Sequence, residues 1–272
     1  MGTRRRSSQL VLVIATVLAS LFVLPAQSAA DTVRYAALGD SYASGVGTKT
    51  YYENSGACYR SPRAYPVRVA ATTGATLDFA ACSGARVADV RATQLGGLSG
   101  ATDYVTVQVG GNDAGFVEVL TACARPWPYT CWAEINEANR VISDVLPGRL
   151  DALYDGIAAR APHAQVVVVG YPRLFNGEQC NAGARISPGE QIELNRSADR
   201  LAKVIRARAA AHGFEFADPR AAFTGHAVCD DTEWINGLSY PIVESYHPSR
   251  PGQSLGYTPL VADHVAVPAP TT

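Results

Sequence analysis

The chain is poor in charge and shows almost no bias in its sign. Of its 272 residues 17% are charged, with 23 Lys plus Arg against 24 Asp plus Glu, while 47% are hydrophobic. Such apolar content excludes a disordered or collagen-like chain, and such balance excludes a protein built to coat a polyanion. Internal repeats, charge runs and long Ser/Gly linkers are all missing. The longest apolar run, Leu10 to Leu24, is 15 residues. It falls short of the roughly 20 that cross a bilayer as a helix, so no transmembrane anchor is expected.

That run is instead placed as a leader would be. Arg4, Arg5 and Arg6 precede it and the small residues Ser28, Ala29 and Ala30 follow it, the layout of a secretory signal peptide. Residues 1–30 are therefore read as a leader, and residues 31–272 as one domain of an exported, soluble protein, expected to be a monomer. Removing three Arg and no acids leaves 20 basic residues against 24 acidic, a net charge of −4. Such a surface attracts neither nucleic acid nor an anionic membrane.

Six cysteines, Cys58, Cys82, Cys123, Cys131, Cys180 and Cys229, lie beyond the leader. An even count in an exported chain argues for three disulfides. Fifteen pairings exist for six cysteines, and the simplest joins neighbours: Cys58 with Cys82, Cys123 with Cys131, Cys180 with Cys229. A zinc site at Cys229 and His226 lacks paired CxxC spacing, and no metal is expected.

Short apolar runs at Val33–Leu38, Thr76–Ala81, Tyr104–Val109, Gln165–Gly170 and Phe214–Ala217 read as buried parallel strands. Helical spacing occupies Pro62–Thr73, a long segment from Trp132 to Ala161 interrupted at Pro147 and Gly148, and Pro188–Ala211. The last starts at Ser187-Pro188 and stops at Gly213, as capping chemistry requires. Strands alternating with helices predict an α/β protein with a doubly wound parallel sheet, whose ligands sit beyond the strand carboxyl ends.

Three of those ends carry unusual residues. The first run leads into Gly39-Asp40-Ser41-Tyr42, which puts Ser41 on a turn into a helix, where backbone N–H groups favour a developing negative charge. It has neither phosphate-loop glycine spacing. The second leads into Cys82-Ser83-Gly84-Ala85-Arg86, where Gly84 brings a backbone N–H close to a ligand without a side chain in the way. The third leads into Gly110-Gly111-Asn112-Asp113, where the Asn112 amide is a potential oxyanion donor. Taken singly, these are an N-cap serine, a turn glycine and an Asx turn. Among the five histidines, His247 is followed by Pro248, which biases it toward an extended backbone at a loop-to-helix junction. Nucleophile, two oxyanion donors and base together are far more specific than any one of them.

The order GDSY, CSGAR, GGND and HPS resembles the SGNH superfamily of GDSL-type esterases and lipases, with Ser41, Gly84, Asn112 and His247 at its four name-giving positions. The similarity spans nearly the whole mature chain and includes secreted actinobacterial lipases and phospholipases A1, which supports the sequential cysteine pairing. It implies a flavodoxin-like three-layer α/β/α sandwich with a central five-stranded parallel sheet. It further implies a serine hydrolase acting on acyl-ester or lipid substrates, with Ser41 as nucleophile and His247 as general base and acid. The Ser41 and Gly84 N–H groups and the Asn112 side chain would hold the oxyanion, and no cofactor would be needed.

Most of that superfamily carries Asp three residues before the histidine, where this chain has Glu244. The backbone carbonyl of Ser245 is expected to orient His247 in its place, with the Glu244 carboxylate as the alternative. Asp40 and Asp113 are expected to brace their loops. Tyr42, Tyr246 and Pro126-Trp127-Pro128-Tyr129 are candidates for acyl-chain contact, a lid rim, or simple packing. A carbohydrate-ester deacetylase of the same fold and a non-catalytic secreted binding module remain the rival readings.

Overall fold

A computed structural model describes residues 1–2, 32–126, 128–180, 183 and 186–265. The rest of the predicted leader, and Trp127, lie outside the described residues. All elements belong to the unit Thr32–Thr272.

The five predicted runs are all strands: β1 (Arg34–Gly39), β2 (Thr76–Phe79), β3 (Tyr104–Gln108), β4 (Gln165–Val169) and β5 (Glu215–Ala217). They form one sheet of order β2-β1-β3-β4-β5, with every neighbouring pair parallel. β3 is buried along its whole length, which is why it reads as a continuous apolar run rather than an alternating one.

The described helices are α1 (Ser41–Ser44), α2 (Tyr65–Thr73), α3 (Val87–Thr93), α4 (Phe116–Cys123), α5 (Trp132–Arg140), α6 (Leu146–Arg160), α7 (Pro188–Ala211) and α8 (Thr258–Ala262). Strand order and crossover handedness together decide the layers. The step from β1 to β2 runs one way across the sheet and the later steps run the other, so right-handed crossovers put α2 on one face and α3, α6 and α7 on the opposite one. Contacts agree, since α2 packs on α8, and α6 packs on α3 and α7. This is the expected α/β/α sandwich.

The reversal of direction falls between β1 and β3, which lie side by side with Gly39 level with Gln108. A crevice opens at such a switch point beyond the strand ends. It is where the Gly39-Asp40-Ser41 turn and the Gly110-Gly111-Asn112 loop meet.

The long helical segment does not break at Pro147. α5 instead passes through a wide turn at Val141–Val145, in which the Leu146 N–H donates five residues back to Val141, and continues into α6. Pro147 occupies the first turn of α6, and the widened turn accommodates a residue that has no N–H to give. α7 begins as predicted: the Ser187 hydroxyl accepts from the Glu190 N–H, and the Glu190 carboxylate accepts from the Ser187 N–H.

Candidate active site

β1 ends at Gly39, whose φ is +140° and where a Cβ would stand 2.3 Å from the Gln108 carbonyl oxygen. Only glycine lets β1 stay against β3 up to the turn. Asp40 closes that turn. Its Oδ1 accepts from the Tyr42 N–H at 3.0 Å and its Oδ2 from the Tyr171 hydroxyl at 2.5 Å. Burial pushes the Asp40 carboxyl up to about 7, against these two hydrogen bonds, which hold it down. Tyr171 also accepts weakly from the Gly111 N–H, at 3.4 Å, so one phenol ties the Ser41 turn to the Asn112 loop.

His247 comes from a loop that is held from several sides. The Asn236 N–H donates to the His247 carbonyl and the Tyr246 N–H to the Asn236 carbonyl, both at 2.9 Å. The Asn236 side chain donates to the Gly47 carbonyl at 2.9 Å, and the Tyr42 hydroxyl donates to the Tyr246 carbonyl at 2.7 Å. At Gly47, with φ +101°, a Cβ would lie 2.9 Å from the His247 Cβ. The backbone must therefore be bare where the two segments touch.

The imidazole stands between Ser41 and Ser245. Nε2 lies 2.8 Å from the Ser41 Oγ, and Nδ1 lies 2.9 Å from the Ser245 carbonyl oxygen. A carbonyl only accepts, so the ring proton belongs on Nδ1, which leaves the Nε2 lone pair for the Ser41 hydroxyl proton. Ser41 and His247 are both buried. Burial lowers the imidazole to about 4, and the Ser245 carbonyl offsets this only in part. At neutral pH the ring is uncharged and able to take a proton.

Glu244 faces elsewhere. It is buried, its Oε1 accepts from the Tyr51 hydroxyl at 2.5 Å, and its Oε2 has no hydrogen-bond partner. Of the two groups that the sequence offers for orienting His247, the Ser245 carbonyl is the one within hydrogen-bond reach.

Gly84 and Asn112 line the same cleft as Ser41 and His247. The Asn112 amide donates one N–H to the Ala85 carbonyl at 3.1 Å, fixing its plane and leaving the second N–H. Asp113, as anticipated, is a brace: its carboxylate accepts from the Val87 N–H at 2.9 Å and from Arg149 at 2.8 Å, joining the Gly84 loop to the Asn112 loop. The cysteines pair in sequence order, Cys58–Cys82, Cys123–Cys131 and Cys180–Cys229. The first holds the Gly84 loop beside the turn, with the Ser83 N–H donating to the Cys58 carbonyl at 3.1 Å. Cys229 is thus committed to sulfur, and no metal-binding cluster occurs among the described residues.

Two cavities share Ser41, Asn112, Phe116 and Leu120. One is a wide cleft of about 710 Å³ that also touches Gly84 and His247. The other is a narrow pocket of about 80 Å³ with walls such as Val119, Ile135, Ile142 and Leu201. Tyr42 lines the narrow pocket, and Tyr246 and Pro126 the cleft. The residues that sequence reasoning missed are Tyr171, Tyr51 and Asn236, which carry no local signature.

A serine and a neutral histidine in contact at the switch point of a parallel sheet, beside amide donors, are the equipment of a serine-type carboxylic ester hydrolase. The chain belongs to the GDSL-like Lipase/Acylhydrolase family, whose pattern it matches over residues 37–255. It is 43% identical over 257 residues to Lipase 1 of Streptomyces coelicolor, covering 93% of this chain and 95% of that protein. The crystal structure of an extracellular lipase from Streptomyces rimosus superposes with a TM-score of 0.82 at 43% identity, covering 86% of this chain and all of that one. Phospholipase A1 from Streptomyces albidoflavus NA297 gives the same TM-score, identity and coverage.

Proposed function

We propose that this chain is an exported hydrolase of lipid acyl esters, with residues 31–272 as its single mature domain. Ser41 Oγ attacks the ester carbonyl while His247 Nε2 takes its proton. The Ser41 and Gly84 N–H groups and the Asn112 amide hold the oxyanion, each donor of this kind being worth roughly 10²–10³ in turnover. The intermediate collapses as His247 returns the proton to the leaving alcohol, and water, activated by the same ring, releases the acyl group from Ser41. The Ser245 carbonyl keeps the ring in the required tautomer throughout. Side chains, backbone and water suffice for every step.

The observation that carries the lipid reading is the pairing of cavities at Ser41. A narrow apolar pocket suits an acyl chain, and the wide cleft suits the alcohol portion. A glycan deacetylase needs a polar cleft around a short acetyl group instead. The names of the similar Streptomyces proteins, lipase and phospholipase A1, point the same way. A substrate panel tests it: nitrophenyl decanoate should be hydrolysed with a higher kcat/KM than nitrophenyl acetate, and acetylated polysaccharide hardly at all. Preference for the polysaccharide would install the deacetylase reading. A fluorophosphonate should label Ser41 in the folded protein, and failure to do so would leave the binding-module reading.

A further inference from the structure

Large apolar side chains exposed to water occur singly on most proteins, but a group of them around one opening marks an interaction site. Around the wide cleft, Val117 is 57% exposed, Leu238 37% and Ile242 69%, and all three line it. Tyr240, between Leu238 and Ile242 in sequence, is 91% exposed. Tyr129 is 62% exposed, and its ring lies 5.5 Å from the guanidinium of Arg125, a cleft residue. Two separate segments thus raise apolar groups around the entrance to Ser41.

Among the described residues beside this rim, two arginines are each paired with an acid. Arg125 pairs with Glu134 at 2.9 Å, and Arg86 pairs with Glu118 at 3.5 Å. Neither Lys49 nor Lys203 lines the cleft. Among the described residues, Arg125 is the one cation that lines the cleft, and it is paired, so this lining gains little from an anionic partner. Its apolar groups are suited to enter the boundary between headgroups and acyl chains, where tyrosine is at home.

We propose that the rim formed by Val117, Tyr129, Leu238, Tyr240 and Ile242 docks the protein onto a zwitterionic phospholipid surface and sets the cleft directly over its substrate. This rests on the acyl-ester reading above. Docking then raises the rate on assembled lipid without changing the chemistry at Ser41.

The test uses the full-length mature protein and vesicles of phosphatidylcholine. Partitioning is measured with Ser41→Ala, so that hydrolysis does not alter the vesicles, and again with Tyr129→Ser and Tyr240→Ser added; neither tyrosine lines the cleft. The double replacement should weaken partitioning by roughly tenfold or more, the size of effect expected from removing buried apolar area. With Ser41 intact, the same pair should slow hydrolysis of the vesicles by a similar factor and leave soluble nitrophenyl butyrate within about twofold, because uniform binding is lost but the transition state is not touched. About 0.5 M salt should leave partitioning nearly unchanged. Partitioning that ignores the tyrosines, or that requires anionic lipid and collapses in salt, overturns the proposal. Equal losses on vesicles and on the soluble ester overturn it as well. A wild-type protein inert toward every ester would instead remove the hydrolase reading, and the Ser41→Ala partitioning would still decide docking.

Discussion

His247 is held in one tautomer by a neighbour that carries no charge. The Ser245 carbonyl, 2.9 Å from Nδ1, fixes the ring proton, whereas a carboxylate there would also stabilise the imidazolium that forms during attack. Burial lowers the imidazole from 6.5 to about 4. Lowering the pKa favours the neutral base, so activity lost to protonation is lost only as pH falls through about 4, not through 6.5. Glu244→Gln should keep the Tyr51 contact, lower kcat by less than tenfold, and leave that acid limb in place, because the carboxylate is not the partner of Nδ1. A drop of about three orders of magnitude, approaching the 10⁴ that a required triad carboxylate is worth, would transfer the orienting role to Glu244. At this scale the sequence was legible where function is packed into contiguous residues. Ser41, Gly84, Asn112 and His247 each belong to a short motif that contains a glycine or a proline at the end of a strand or the start of a helix. Tyr171 and Asn236 also adjoin glycine or proline, at Gly170, Pro172 and Gly237, yet neither they nor Tyr51 were legible, because a lone phenol or amide in a connection acquires its partner only when distant loops converge, and nothing in the flanking residues announces that partner.

Elements divide the same way. Strands buried on both faces and the capped α7 were readable, since a run of β-branched residues or a Ser-Pro start is a local property. α3 and α4 were not, because seven or eight residues complete only about two turns and offer too few repeats to establish a period. That omission hid the divider between the cavities, for α4 supplies Phe116 and Leu120 to both. The reading of a break at Pro147 failed for a related reason: a proline forbids one hydrogen bond, and the wide turn at Val141–Val145 removes the need for it. α7 forms the far wall of the narrow pocket through Leu194, Ser197, Ala198 and Leu201. Ser197→Leu should fill part of that pocket. Since one methylene of lost room is worth about 1–3 kcal/mol in a close-fitting apolar site, the ratio of kcat/KM for decanoate over acetate should fall at least tenfold. An unchanged ratio would place the acyl chain in the wide cleft instead.

Across the whole molecule, the site is completed by a segment that adds no strand to the sheet. From Asp218 onward the chain wraps back to deliver His247 to the turn after β1, anchored by Asn236 on Gly47 and by the buried Gln253, which donates to the Tyr42 carbonyl and accepts from the Tyr65 N–H. Non-local closure of this kind costs chain entropy, and the Cys180–Cys229 disulfide limits that cost by shortening the free chain in the unfolded state. The bonded residues are 49 apart there and only 8 apart in Cys123–Cys131. On the loop-entropy model these spacings correspond to about 4 and about 2.5 kcal/mol of stabilisation. Replacing Cys180 and Cys229 by serine should therefore lower Tm further than replacing Cys123 and Cys131. Activity should be lost together with the melting of the His247 segment rather than with that of the sheet, which calorimetry and turnover measured over one temperature series would register. The opposite order of Tm values would mean that the short disulfide matters more through the contacts it fixes. The Glu190 carboxylate, which accepts from the Cys131 N–H at 3.1 Å and also caps α7, is the contact through which that would act.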